Sequence, residues 1–135
     1  MFAGEFGQNT WDELNEIVPG GNYGWPVVEG DGGASQGFTD PVATWPTADA
    51  SPSGIAVVGD RVVLANLRGE RLRVVPVENP SASVELLGDA GRIRDAVAAP
   101  DGGVWVLTSN TDGRGRPRPG DDRLLLVPEA ALREP

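Results

Sequence analysis

The chain has 135 residues, enough for one modest hydrophobic core, and its length calls for no second domain. Nineteen glycines and twelve prolines beside 39% apolar residues point to turn-rich β structure rather than disorder or a helical bundle. The net charge of −9 speaks against nucleic acid as a partner, and the absence of cysteine and histidine excludes a disulfide scaffold, a thiolate zinc site and a histidine-based triad within the chain.

Residues 1–60 carry nine acidic side chains and no basic one, whereas residues 61–135 carry eleven of each, so the net charge belongs to the first part. Every cation is arginine, whose planar fork suits carboxylates and phosphates. No apolar run is long enough to span a bilayer, and Met1 to Glu5 lacks the basic start and apolar stretch of a signal peptide.

In chain order, Met1 to Glu5 is short and β-compatible, and Gly7-Gln8-Asn9-Thr10 is a turn. Asp12 to Ile17 alternates polar and apolar residues as a half-buried strand, then breaks at Pro19-Gly20-Gly21-Asn22 into a loop closed by Tyr23, Gly24, Trp25 and Pro26. Residues 1–26 therefore read as a strand pair with an aromatic loop packed on it. Residues 27–53, rich in Gly, Ser, Thr, Asp and Pro, read as one long loop, docked at its Trp45 end.

From residue 54 the pattern is regular. Ile55 to Val58, Arg61 to Asn66 and Leu72 to Val77 are three strands joined by Gly59-Asp60 and Gly69-Glu70 turns, with a weaker fourth strand at Ser83 to Leu87. After Gly88 the phrase returns as Asp95 to Ala98, Val104 to Thr108 and Leu124 to Pro128, at an offset of about 40 residues. Residues 54–88 and 89–135 are thus two blade-like repeats. The fold class is all-β, a partial β-propeller of two to three blades, with a β-sandwich as the alternative. Closure of a propeller takes at least about four blades, so further blades or a second copy of the chain are expected to complete it.

Arg92 and Arg94 stand at i and i+2 ahead of a strand, where extended backbone directs both toward one face and Ile93 toward the other. Two parallel forks could receive a planar polycarboxylate, and a solvated strand end paired with Asp95 or Asp89 is the plainer alternative. Arg68, after the equivalent middle strand, occupies a connection that lines the mouth in propellers. Asp12 and Glu13, with carbonyls of the glycine-rich loop, offer only hard oxygen ligands, which suit calcium. Asp112 to Pro119 reads as an exposed basic loop and is assigned no function.

These residues together resemble the C-terminal part of the soluble PQQ-dependent sugar dehydrogenases, the glucose/sorbosone and aldose sugar dehydrogenase family. The resemblance is carried by Glu5-Phe6-Gly7-Gln8, Asp12-Glu13-Leu14-Asn15 and Gly21-Asn22-Tyr23-Gly24-Trp25-Pro26. It continues in Trp45-Pro46-Thr47, Ser51-Pro52-Ser53-Gly54, Arg92-Ile93-Arg94-Asp95 and Pro100-Asp101-Gly102. It implies the last two to three blades of a six-bladed propeller, with pyrroloquinoline quinone (PQQ) and calcium in a central mouth, an aldose as substrate and an external electron acceptor.

By the same resemblance Arg92 and Arg94 hold the cofactor, Arg68 stands where the family has a lysine, and Trp45 is an aromatic beside the cofactor. The carbonyls of Gly7 and Gln8 bind the quinone's calcium, and Glu13 with the Tyr23 carbonyl binds a second, structural calcium. The family's base histidine is expected upstream of residue 1, so the chain alone is expected to be inactive. The complete protein is expected in the periplasm or outside the cell. A propeller that binds without catalysing, having lost the cofactor, is the alternative function.

Overall fold

In the computed structural model, which describes residues 1–133, short strands build three antiparallel sheets. The first sheet runs β1 (Phe2–Glu5), β2 (Trp11–Glu16), β3 (Ala43–Pro46). The second runs β4 (Pro52–Val58), β5 (Arg61–Asn66), β6 (Arg71–Pro76), β7 (Val84–Leu86). The third places β9 (Val104–Thr108) between β8 (Ile93–Ala98) and β10 (Leu124–Val127), and a short helix α1 (Glu129–Arg133) follows.

The repeats expected from residue 54 onward are the second and third sheets. Gly59, at φ 59°, and Asp60 close the two-residue hairpin between Val58 and Arg61, because a tight turn that matches strand twist needs the left-handed region. Residues 27–53 differ from the expected single loop, since they contain β3 and the first two residues of β4. β3 has only β2 as a partner, with Asp12 opposite Trp45, and it ends on a proline. A four-residue edge strand has no alternation long enough to stand out from its polar surroundings.

Burial shows how the sheets stack. In β5 successive residues are buried on opposite faces: Val62 and Leu64 join Leu14 and Val75 against the first sheet, while Val63 and Ala65 join Leu72, Val74, Ile93, Val104 and Val106 against the third. The second sheet is therefore covered on both faces, as a blade is by its neighbours. α1 adds Leu132 to the core between the second and third sheets.

The third sheet is covered on one face only. Val104 and Val106 point into the core, while Trp105 and Leu107 alternate outward and lie beside Val97, Leu124 and Leu126, all at least 39% exposed. The chain is a partial β-propeller whose last sheet shows an open apolar face.

Leu72→Ala should lower the unfolding free energy by about 2–5 kcal/mol through the cavity it leaves. Val57→Ala, at a half-exposed position, should change it by no more than about 0.5 kcal/mol. Urea denaturation of both variants checks the contrast, and equal effects would contradict the burial of the second sheet against the third.

Candidate functional site

The β1–β2 turn, the entry to β4, the β5–β6 turn, the entry to β8 and the β9–β10 loop converge at one end of the stacked sheets. They enclose two adjoining clefts of about 540 and 290 Å³, the size range of small-molecule sites. Gly7, Gln8 and Asp12 line the larger, Leu67 and Arg92 the smaller, and Phe6, Ser51, Arg68 and Arg114 line both.

Asp12 assembles the floor. Its buried carboxylate accepts the Gly7 N–H through Oδ1 at 2.9 Å and the Ser51 N–H through Oδ2 at 2.6 Å, so one side chain ties the first sheet to the second. Gly7 cannot be replaced without moving the backbone, because a Cβ there would sit 1.8 Å from the Trp11 carbonyl oxygen. Ser51 holds φ at 56°, a strained value for a residue with a side chain, directly on the cleft wall.

The turn is held from its other side by Glu29, whose Oε1 accepts the N–H groups of Asn9, Thr10 and Trp11 at 3.1, 2.7 and 2.9 Å. The Trp11 and Thr10 N–H groups, foremost, hold this carboxyl below the usual carboxylate range. The N–H groups of the turn are thereby occupied. Among the described residues no hydrogen bond uses the carbonyl oxygens of Gly7 or Gln8, which leaves both open to a cation.

The arginines are set by different means. Arg68 is carried on the β5–β6 turn, which is seated on residues 49–51 by the Leu67 N–H to the Ser51 carbonyl at 3.0 Å and the Gly69 N–H to the Ala50 carbonyl at 2.9 Å. Arg92 is nearly buried, and its Nε donates to Asp112 Oδ2 at 2.9 Å. Asp112 also accepts the N–H groups of Arg114 and Gly115 through Oδ1 at 2.8 and 3.0 Å. The Arg114 N–H, then Arg92, bring its carboxyl down to about 2 against the opposing effect of desolvation.

Farther along the loop, Asp122 accepts from Thr108, Asn110 and Thr111, so the β9–β10 connection is pinned at both ends. Asp122 is held below the usual carboxylate range, chiefly by the Thr111 hydroxyl.

The residues expected at the site divide. Gly7, Gln8, Arg68 and Arg92 meet at the clefts. Arg94 lines neither: β8 bulges between Ile93 and Asp95, which breaks the i, i+2 alignment, and Arg94 Nη1 lies 3.4 Å from the Ser53 hydroxyl on the rim. Trp45 also lines neither cleft. Its ring packs 4.6 Å from the buried Arg73 guanidinium, which pairs with Glu85 at 2.6 Å.

Glu13 lies on the opposite face of β2 from Asp12. Its Oε1 accepts the Gly30 N–H at 2.7 Å, and Asn15 Nδ2 donates to Glu13 Oε2 at 3.0 Å and to Glu5 Oε2 at 3.2 Å. Glu5 and Glu13 are register partners, and burial first and the charge of Glu13 second push the Glu5 carboxyl above its ordinary range. Asn15 Oδ1 is buried and accepts no hydrogen bond. The Tyr23 hydroxyl donates to the Glu16 carbonyl at 2.7 Å and accepts from Val18, closing the aromatic loop over this end of β2. Among the described residues no three acidic side chains gather as a metal cluster, so a cation in either place would draw on carbonyl or amide oxygens as well.

The family model described as Glucose / Sorbosone dehydrogenase matches residues 1–125. The chain belongs to that family. The PQQ-bound aldose sugar dehydrogenase of Streptomyces coelicolor is 54% identical to this family member over 94% of its length, with a TM-score of 0.86. A Thermus thermophilus oxidoreductase described as a glucose dehydrogenase is 40% identical over 93%, with a TM-score of 0.79. The aldose sugar dehydrogenase of Escherichia coli is 28% identical over 84% of the chain. The present chain spans 39% of each of the two solved structures and 36% of the Escherichia coli relative, so it corresponds to part of a family protein.

The depressed Asp112 titration fixes the sign of a pH effect. Its contribution to stability is present above the ordinary carboxylate pKa near 3.8 and is lost as pH falls through about 2. Thermal melts of the parent and Asp112→Asn should differ at pH 7 and converge toward pH 2. A constant difference across that range would contradict the clamp.

Proposed function

We propose that this chain is the C-terminal segment of a PQQ-dependent sugar dehydrogenase and supplies the cofactor-binding side of its active site. The observation that carries this is the convergence of Gly7, Gln8, Arg68 and Arg92, from separate parts of the sequence, on adjoining clefts at one end of the sheets. Arginine forks suit the carboxylates of PQQ. Phe6, 60% exposed on the wall of both clefts, offers an aromatic face to a flat ring system.

In this reading Arg68 and Arg92 would bind the carboxylates, Asp112 keeps the Arg92 fork oriented, and the free carbonyls of Gly7 and Gln8 would hold the calcium that polarises the quinone. PQQ held there would supply a hydride acceptor for the sugar carbon being oxidised, with an external acceptor for the electrons. The chain contains no histidine, so a histidine that removes the sugar hydroxyl proton would come from the rest of the complete protein. That protein oxidises an aldose and works in the periplasm or outside the cell.

A second calcium fits the outer face of the first sheet. Glu5 and Glu13 repel one another across the β1–β2 pair, and the buried Asn15 Oδ1 lacks a partner. A cation among these oxygens would satisfy all three, and the family resemblance adds the Tyr23 carbonyl as a further ligand. Calcium should raise the melting temperature, and Glu13→Gln should remove most of that increase. An equal calcium response in parent and variant would overturn this assignment.

Titration with PQQ in the presence of calcium, followed by quenching of tryptophan fluorescence, should give saturable binding. Arg68→Ala should weaken it about tenfold or more, the range for a charge-assisted hydrogen bond. The chain should not oxidise glucose or another aldose with PQQ, calcium and an artificial acceptor. Absence of PQQ binding would overturn the proposal, and turnover by the chain would overturn the claim that it holds half a site.

A further inference from the structure

The β9–β10 loop places one more cation at the clefts. Arg114 lines both of them with Arg68, and shares the smaller with Arg92. Its backbone is fixed, since its own N–H and that of Gly115 donate to Asp112 Oδ1, and a Cβ at Gly115 would lie 2.4 Å from the Asn110 carbonyl oxygen. The turn is therefore held to one path, and that path ends at the cleft wall. Asp112 joins this turn to the Arg92 guanidinium, so the two arginines are positioned by a single carboxylate.

The charges do not cancel locally. Arg61, Arg71, Arg73, Arg92, Arg123 and Arg133 each pair with a carboxylate. Among the described residues Arg68, Arg94, Arg114, Arg116 and Arg118 have no carboxylate within ion-pair distance, and of these five Arg68 and Arg114 line the two clefts. Asp12, the acidic residue on the larger cleft, has one oxygen committed to Gly7 and the other to Ser51. Two unneutralised forks on a shared wall await an anion with more than one carboxylate.

We propose that Arg114 is a further cofactor-binding residue, which pairs with a carboxylate of PQQ in the clefts that it lines with Arg68. The inference rests on the PQQ reading above and extends it along the loop that already orients Arg92 through Asp112. Arg116 and Arg118, on the same loop, line a different cleft of about 400 Å³ with Glu70 and Asp89, and are not part of this site.

Equilibrium titration with PQQ and calcium, by isothermal calorimetry, compares the parent with Arg114→Ala, Arg114→Lys and Arg116→Ala, after thermal melts confirm that each variant folds. Arg114→Ala should weaken binding about 10- to 100-fold, as expected for loss of a charge-assisted pair. Arg114→Lys should recover part of that loss, because charge returns without the planar fork. Arg116→Ala should bind like the parent.

Parent-like affinity in Arg114→Ala would overturn the role of Arg114 and leave the PQQ reading standing. Equal weakening by Arg116→Ala would also overturn it, because the effect would then be general loop charge. A parent protein that does not bind PQQ would overturn both.

Discussion

The cleft depends on one buried carboxylate. Asp12 is 2% exposed, and leaving such a charge without partners would be costly, so its two oxygens take two backbone N–H groups, from Gly7 nearby and from Ser51, 39 residues farther along the chain. That demand draws the β1–β2 turn against the entry to β4 and ties the first sheet to the second at the mouth. The second sheet then places Arg68, whose turn is seated on residues 49–51, and the third places Arg92 through the packing of β4 on β8. The arrangement is a chain of dependence: a carboxylate orders backbone, backbone orders turns, and turns bring cations together.

The same device recurs around the site. Glu29 occupies the N–H groups of the β1–β2 turn, Asp112 those at Arg114 and Gly115, and Asp122 those at Asn110 and Thr111. Each acidic side chain settles donors of a loop that no strand could satisfy, which explains how long Gly- and Pro-rich connections remain ordered next to a binding surface. It also gives the acidic composition a meaning. Carboxylates serve as internal acceptors for backbone, while Arg68 and Arg114 line the clefts without a carboxylate partner among the described residues. The open apolar face of the third sheet, from Val97 to Leu126, belongs to the same architecture, since a blade at the end of a partial propeller has nothing to cover it.

Much of this was legible in the residues. The 40-residue repeat, the strands at Arg61–Asn66 and Val104–Thr108, the hairpin at the start and the family resemblance all follow from local alternation, turn residues and motif order. The cleft positions of Arg68 and Arg92 were legible as motifs. What escaped has a common cause, which is dependence on contacts remote in sequence. β3 exists only through its pairing with β2; Glu29 reaches back 18 to 20 residues; Asp12 looks like a calcium ligand until Ser51 is seen beside it. A bulge at Arg94 undid an inference from strand periodicity, and Trp45, read as a cofactor neighbour, packs on Arg73, a residue for which the sequence offers no sign of burial. Arg114 sat in a loop whose composition alone reads as solvated surface.

The central claim is that the ends of three sheets form a receptor for a planar polycarboxylate. A crystal structure of the protein grown with PQQ and calcium tests it most directly. PQQ density should lie across the two adjoining clefts, with carboxylates at Arg68, Arg92 and Arg114 and calcium at the carbonyls of Gly7 and Gln8. PQQ bound elsewhere on the protein, with these arginines in contact only with solvent, would contradict it.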